Sequence, residues 1–272
     1  MKDQTRLDQP SARPGPLTSA LLGLGLLTLA AAAPAATVSG SATVDWSTLN
    51  IQFVPAGASY QFYSQSSYLS GYLSQQSIDI SSGDWTSHLA TSVANEHVSV
   101  NLTASAQDLA VAGTLTLAEG FESFSVDASR NALLEISGSG ILLVSVAGTV
   151  SSDLSQADFY TDYASSYSRI NLRLSSGSLF SSGSLESWSD LWDFSYLTDV
   201  QSGLVTAALN VNHGELVSLS IFASTELAGE RFTPTTVPVP ASLPLLGAAL
   251  LGLTGIKRAG ACRTRPSVSA QA

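Results

Sequence analysis

The stretch His97-Val98-Ser99-Val100-Asn101-Leu102-Thr103-Ala104 alternates apolar with small polar residues, and that period of two limits what the chain can fold into more than any other feature. A helix would bring apolar residues together every three or four positions. Here they recur every second one, so one face of an extended strand is greasy and the other is not. Arg169-Ile170-Asn171-Leu172-Arg173-Leu174-Ser175 and Leu216-Val217-Ser218-Leu219-Ser220-Ile221-Phe222-Ala223 repeat the pattern. Further apolar runs occupy Val111–Leu117, Phe121–Val126, Leu133–Ile136, Ile141–Val150 and Leu204–Val211. Turn-forming clusters such as Glu119-Gly120, Ser137-Gly138-Ser139-Gly140 and Asn212-His213-Gly214 separate them.

Many short strands at uneven spacing predict a mainly β chain, built as an antiparallel β-sandwich or jelly roll rather than a solenoid. Val98, Val100, Leu102, Ile170, Leu172, Leu174, Leu219 and Ile221 are expected to point inward, with Ser and Thr outward on solvated faces. Two stretches lack the alternation. Ser64–Ser82 is rich in Ser, Tyr and Gln and is expected to be a loop; Asp153–Ser168 is expected to be a loop or a short helix.

Both ends of the chain differ from its middle. From Leu17 to Ala36 there is no charge; Lys2, Arg6 and Arg13 precede this run, and it closes on Ala33-Pro34-Ala35-Ala36. A basic, apolar, small-residue order is that of a secretory signal peptide over residues 1–36, cut after Ala35 or Ala36. A retained membrane anchor is the other reading; the short leucine-rich part, diluted by alanines, favours cleavage. At the far end Val237–Ile256 is again uncharged, but Pro238, Pro240 and Pro244 break its first part. A helix over 241–256 would be short for a span, since fourteen residues from Leu243 cover about 21 Å against a hydrocarbon core of about 30 Å. Lys257, Arg258, Arg263 and Arg265 follow it and would stay on the cytoplasmic side.

Between these ends lies a span of close to 200 residues, 37–233, enough for one domain with a single core. It holds no lysine and no cysteine, and Arg130, Arg169, Arg173 and Arg231 face nineteen Asp and Glu, a formal charge near −15. Four scattered arginines cannot replace the counterions of a phosphate backbone, so nucleic acid is excluded as a partner. Without disulfides, an exported domain of this kind must be held by its core.

The C-terminal segment 234–265, Val237-Pro238-Val239-Pro240-Ala241 followed by an apolar run and a basic end, resembles the PEP-CTERM sorting signal of Gram-negative bacteria. It is similar to the Val-Pro-apolar-Pro-Ala variant, with Val239 where the commoner tripeptide has Glu; residues 266–272 are left as a tail. The resemblance implies a protein exported by the Sec machinery and held briefly in the inner membrane. It implies processing by an exosortase-like transpeptidase, then release to the cell surface or matrix, often in association with extracellular polysaccharide.

Signs of chemistry are sparse in the middle span. His88, His97 and His213 have no helical metal-binding spacing, and no Gly-x-Ser-x-Gly elbow or phosphate loop occurs. No cofactor is expected. In Ser184–Tyr196, Trp188, Asp190, Trp192, Phe194 and Tyr196 share a face if the segment is extended, as in a sugar-stacking surface. If it is helical, Trp188 and Trp192 lie four apart and cover the core. Asp153, Asp158 and Asp162 could offer hard oxygens to calcium from one acidic loop, or be a solvated loop. Three classes stay open: a surface or matrix structural protein without catalysis, a carbohydrate- or calcium-binding module, and a polysaccharide-acting hydrolase with two facing carboxylates.

Overall fold

Alternation along the chain becomes strand in a computed structural model, which describes residues 35–73, 76–192 and 197–232. Twelve strands follow one another: β1 Thr37–Val54, β2 Ser59–Leu73, β3 Gln76–Ser82, β4 Leu89–Ala94, β5 Val98–Ala104 and β6 Asp108–Thr116. The second half adds β7 Glu122–Ser137, β8 Gly140–Asp153, β9 Asp162–Ser176, β10 Leu179–Asp190, β11 Thr198–Val211 and β12 Leu216–Arg231. No helix occurs among the described residues, and so none there is long and apolar enough to cross a membrane. The helices expected at residues 1–36 and 241–256 lie outside the described residues, apart from Ala35 and Ala36 just before β1.

The strands make two six-stranded antiparallel sheets, ordered β11-β8-β1-β6-β5-β4 and β10-β9-β12-β7-β2-β3. Hydroxyls cross from one sheet to the other: Ser166 on β9 donates to the Ser39 carbonyl on β1 at 3.0 Å. Leu102, Leu142, Val144, Ile170, Leu172 and Leu219 are fully buried between them. All eight residues expected to point inward are buried.

Two expectations are corrected. Within Ser64–Ser82 the described residues are strand, in β2 and β3, and of the expected loop Asp153–Ser168 only 154–161 is loop, since β9 begins at Asp162. At the start of β9 the inward positions carry Ala164, Ser166 and Ser168 between the rings of Tyr163 and Tyr167, and on β2 a serine shares the inward face with leucines while rings face out. Ser67, Leu69 and Leu73 are buried on β2 while Tyr68 and Tyr72 are exposed, so polarity does not alternate in the usual sense. Nor is serine always outward. Ser166, Ser168 and Thr225 are buried, because a side chain on Gly40 of β1 would run into the hydroxyls of all three. Where the sheets approach this closely only small residues fit, and their hydroxyls are satisfied locally, as in the 2.9 Å bond between Ser168 and Thr225.

The largest buried side chain is charged. Arg130 on β7 donates to the Ser105 carbonyl at 2.5 Å, and its guanidinium lies 4.3 Å from the Trp46 ring, which meets Trp85 edge-on at 5.0 Å. Desolvation pulls its pKa down, but the aromatic face and the Asp84 charge favour the cation.

The sheet edges are handled in two ways. β3 and β4 are short. β10 and β11, the other two edges, lie against each other: Ala208 donates its amide to the Ser181 hydroxyl at 3.1 Å, and the Ser187 hydroxyl donates to the Asp199 carbonyl at 2.9 Å. Gly183 permits the approach, since a Cβ there would collide with the Thr206 carbonyl. An edge covered this way is not open to a foreign strand.

Candidate functional site

Register on the outer face of the second sheet collects residues that are far apart in the chain. Gly177, with φ 54°, takes the left-handed conformation that a tight turn between β9 and β10 requires, and pairing from that turn sets Trp188 opposite Tyr167. Across β9 and β12, Tyr167 faces Glu226; across β12 and β7, Glu226 faces Ser125; across β7 and β2, Ser125 faces Tyr72. The row Trp188, Tyr167, Glu226, Ser125, Tyr72 therefore runs perpendicular to five strands, about 20 Å at ordinary strand spacing. Trp188 is 56% and Tyr72 61% exposed, so both rings are open to solvent on this face.

A groove of about 260 Å³ lies along this row, lined by Tyr72, Ser125, Ser165, Tyr167, Trp188 and Glu226 among others. A second depression of about 510 Å³ continues past the Trp188–Tyr167 pair, where Glu186 meets Asp199 and Gln201 of β11. The neighbouring row holds the polar support. Arg169, opposite Glu186 on β10 and Ser224 on β12, keeps its guanidinium 5.6 Å from the Tyr167 ring and 5.1 Å from Phe222. Burial, together with the Glu186 charge and hydrogen bond, raises the Tyr167 phenol pKa against the opposing effect of Arg169. Asp127, diagonal to Glu226 on β7, is also raised, first by burial and then by the Glu226 charge, with Arg169 opposing. Ring faces beside carboxylates, with a carpet of serine hydroxyls between them, can stack a sugar and hydrogen-bond its hydroxyls.

Of the residues singled out from sequence, Trp188 sits in this row and neither indole covers the core. Asp190 ends β10, and its carboxylate accepts the Trp192 amide at 2.8 Å. Trp192 follows in a turn, 66% exposed, its ring 6.5 Å from Phe159, so it does not continue the Trp188 strand face. Phe194 and Tyr196 lie outside the described residues. Asp153, Asp158 and Asp162 are each engaged by protein groups. Asp153 accepts the Ser155 amide and Asp158 the Tyr160 amide, while Asp162 accepts the Asp158 amide and pairs with Arg231 at 2.9 Å. Among the described residues no three His, Cys, Asp or Glu side chains gather as a metal would need.

Val237, Pro238, Val239, Pro240 and Ala241, the basic Lys257, Arg258, Arg263 and Arg265, and Ala33 all lie outside the described residues. Tyr72, Tyr167, Glu186 and Glu226 were not singled out from the sequence. A signal existed in the spacings Tyr68-x-x-x-Tyr72 and Tyr163-x-x-x-Tyr167, which put each pair on one strand face. No protein-family model, curated protein or solved structure matches the chain.

Proposed function

We propose that this chain is an exported surface or matrix protein, delivered by its C-terminal sorting signal, whose domain packs its two sheets as a β-sandwich and holds extracellular polysaccharide on the outer face of the second sheet. The observation that carries the binding reading is the row of rings Trp188, Tyr167 and Tyr72, the outer two exposed and Tyr167 half-buried, beside Glu226 along one groove. Rings spaced across a flat, hydroxyl-rich sheet suit a linear glycan laid over the strands. A structural role without catalysis is compatible with this face, since a matrix component has to grip its matrix.

Pull-down on insoluble polysaccharides tests the binding reading. Trp188→Ala is expected to reduce retention at least tenfold, as loss of a central aromatic anchor does at an interface, with the melting temperature unchanged because the ring is exposed. Equal retention by wild type and Trp188→Ala would remove this face from consideration. The delivery reading rests on the basic-apolar-small order before β1 and on Pro238-Val239-Pro240 ahead of a short apolar run and Lys257, Arg258, Arg263 and Arg265. Proline disfavours helix, and on this reading Pro238 and Pro240 are expected to offer a membrane-bound processing enzyme a non-helical backbone to grip. In the native host, a C-terminal tag should part from the domain on fractionation, and changing Pro238 and Pro240 to Ala should leave an uncut, membrane-bound form. A tag that stays joined in wild-type cells makes the tail an ordinary anchor.

A further inference from the structure

Charge decides which glycan suits the face. Glu226 is the charged group lining the groove between Tyr72 and the Trp188–Tyr167 pair, and Glu186 and Asp199 are the charged groups of the depression beyond. Among the described residues, neither lining includes a lysine or an arginine. Arg169, the nearest cation in the row pattern, has its guanidinium against the rings of Tyr167 and Phe222 and stands opposite Glu186, so it offsets part of that carboxylate's charge while Glu226 keeps its own. An acidic sugar would thus meet three carboxylates on a domain already near −15, whereas a protonated amine would meet charge-assisted acceptors beside a ring face. Glu226 and Glu186 stand two strands and one row apart, about 12 Å at ordinary strand spacing and rise, on the scale of two sugar units along a chain crossing the strands obliquely.

We propose that the Trp188–Tyr167–Glu226–Tyr72 face selects a glycan carrying free amino groups, an aminohexose polymer that is at least partly unacetylated, over neutral and uronic-acid polymers. This rests on the glycan-binding reading and adds the ligand's charge to it. Rings supply contact area to any pyranose. Glu226 and Glu186 supply the discrimination, because an ammonium gains a charged partner that an N-acetyl group cannot use.

The test is calorimetric titration of the full chain with three hexasaccharides: β-linked glucosamine, its fully N-acetylated form, and a hexuronate. The glucosamine hexamer should bind about tenfold tighter than the acetylated one, weaken as sodium chloride is raised, and outcompete the hexuronate, which gives no measurable heat. Glu226→Gln, and separately Glu186→Gln, should bring the amine and acetyl affinities within about twofold of each other. Glu96→Gln removes the same charge from the exposed turn between β4 and β5 and should change nothing. If amine and acetyl ligands bind wild type equally and both are lost in Trp188→Ala, the glycan face stands and the amine preference fails. If no hexasaccharide binds, both fail. If Glu96→Gln weakens amine binding as much as Glu226→Gln, the attraction belongs to the whole domain's charge and the proposed selectivity falls.

Discussion

Replacing Leu172 by Ala should lower the free energy of unfolding by about 2 to 5 kcal/mol, the range for emptying a large buried aliphatic site. Leu172 is fully buried on β9, opposite Ile221 of β12 on one side and Gly183 of β10 on the other. Relief by collapse is limited. Gly183 has no side chain to swing into the space, and its backbone is already held against Thr206 of β11. The loss should therefore lie in the upper half of the range and lower the melting temperature by roughly 7 to 20 °C for a domain of this size. Asn171→Ala, one residue along on the outward face, should stay within about 0.5 kcal/mol. Urea melts of the two variants measure the contrast, and equal midpoints would mean that β9 is turned the wrong way.

The second large effect is expected at Asp162 and Arg231, which join the start of β9 to the end of β12. The Asp162 side chain is fully buried, and Arg231 reaches it with Nε at 2.9 Å and a terminal nitrogen at 3.3 Å. Burial alone would raise the carboxyl pKa. The Arg231 hydrogen bond, the Asp158 amide, the Arg231 charge and the Thr161 hydroxyl outweigh it and hold the folded value below the ordinary 3.8. On acidification the unfolded chain therefore takes up this proton first. The pair's stabilisation is complete above the unfolded value and is lost as pH falls through the folded one. Arg231→Ala leaves a carboxylate buried without its cation and should cost about 3 kcal/mol at neutral pH, less than a fully stripped charge because Asp158 and Thr161 still donate. The same variant should show a flatter loss of stability as pH falls below the ordinary carboxylate value of 3.8, since the depressed pKa largely disappears with the guanidinium. Thermal melts across that range decide it; parallel acid limbs in wild type and variant would show that Arg231 does not govern the titration of Asp162.

How legible the fold was depended on which face of each strand carried the grease. In His97–Ala104 the buried positions are Val98, Val100, Leu102 and Ala104, and the polar ones face out, so period two announces both the strand and its orientation. In Ser64–Ser82 the signal is blurred, because Ser67 shares the inward face with Leu69, Leu73 and Ile78 while the rings of Tyr68 and Tyr72 face out; at the start of β9 it is inverted, with Ser166 and Ser168 inside and Tyr167 on the outer face. For Ser166 and Ser168 the cause lies in another strand: at Gly40 the opposite sheet comes so near that no larger side chain fits. Nothing local in Ser166 or Ser168 records that approach. Arg130 is a similar case, a lone arginine in an acidic chain that reads as a surface charge until Trp46, from more than eighty residues earlier, lies beneath it.

Strand character, the inward faces of β5, β9 and β12, the acidic balance of the middle span and the marked chemistry of the two ends are written residue by residue. They follow from pleat geometry, transfer of apolar groups from water and counted charge, all of which are local. Which strand lies beside which is not local. Tyr72, Tyr167, Trp188 and Glu226 meet along one row because β2, β7, β12, β9 and β10 are neighbours in that order and register, while the chain runs through the other sheet in between. Antiparallel strands of similar composition can pair in many combinations at nearly equal backbone energy. The arrangement is selected by how side chains from both sheets fill one shared core, and that fit exists only when the whole domain has come together.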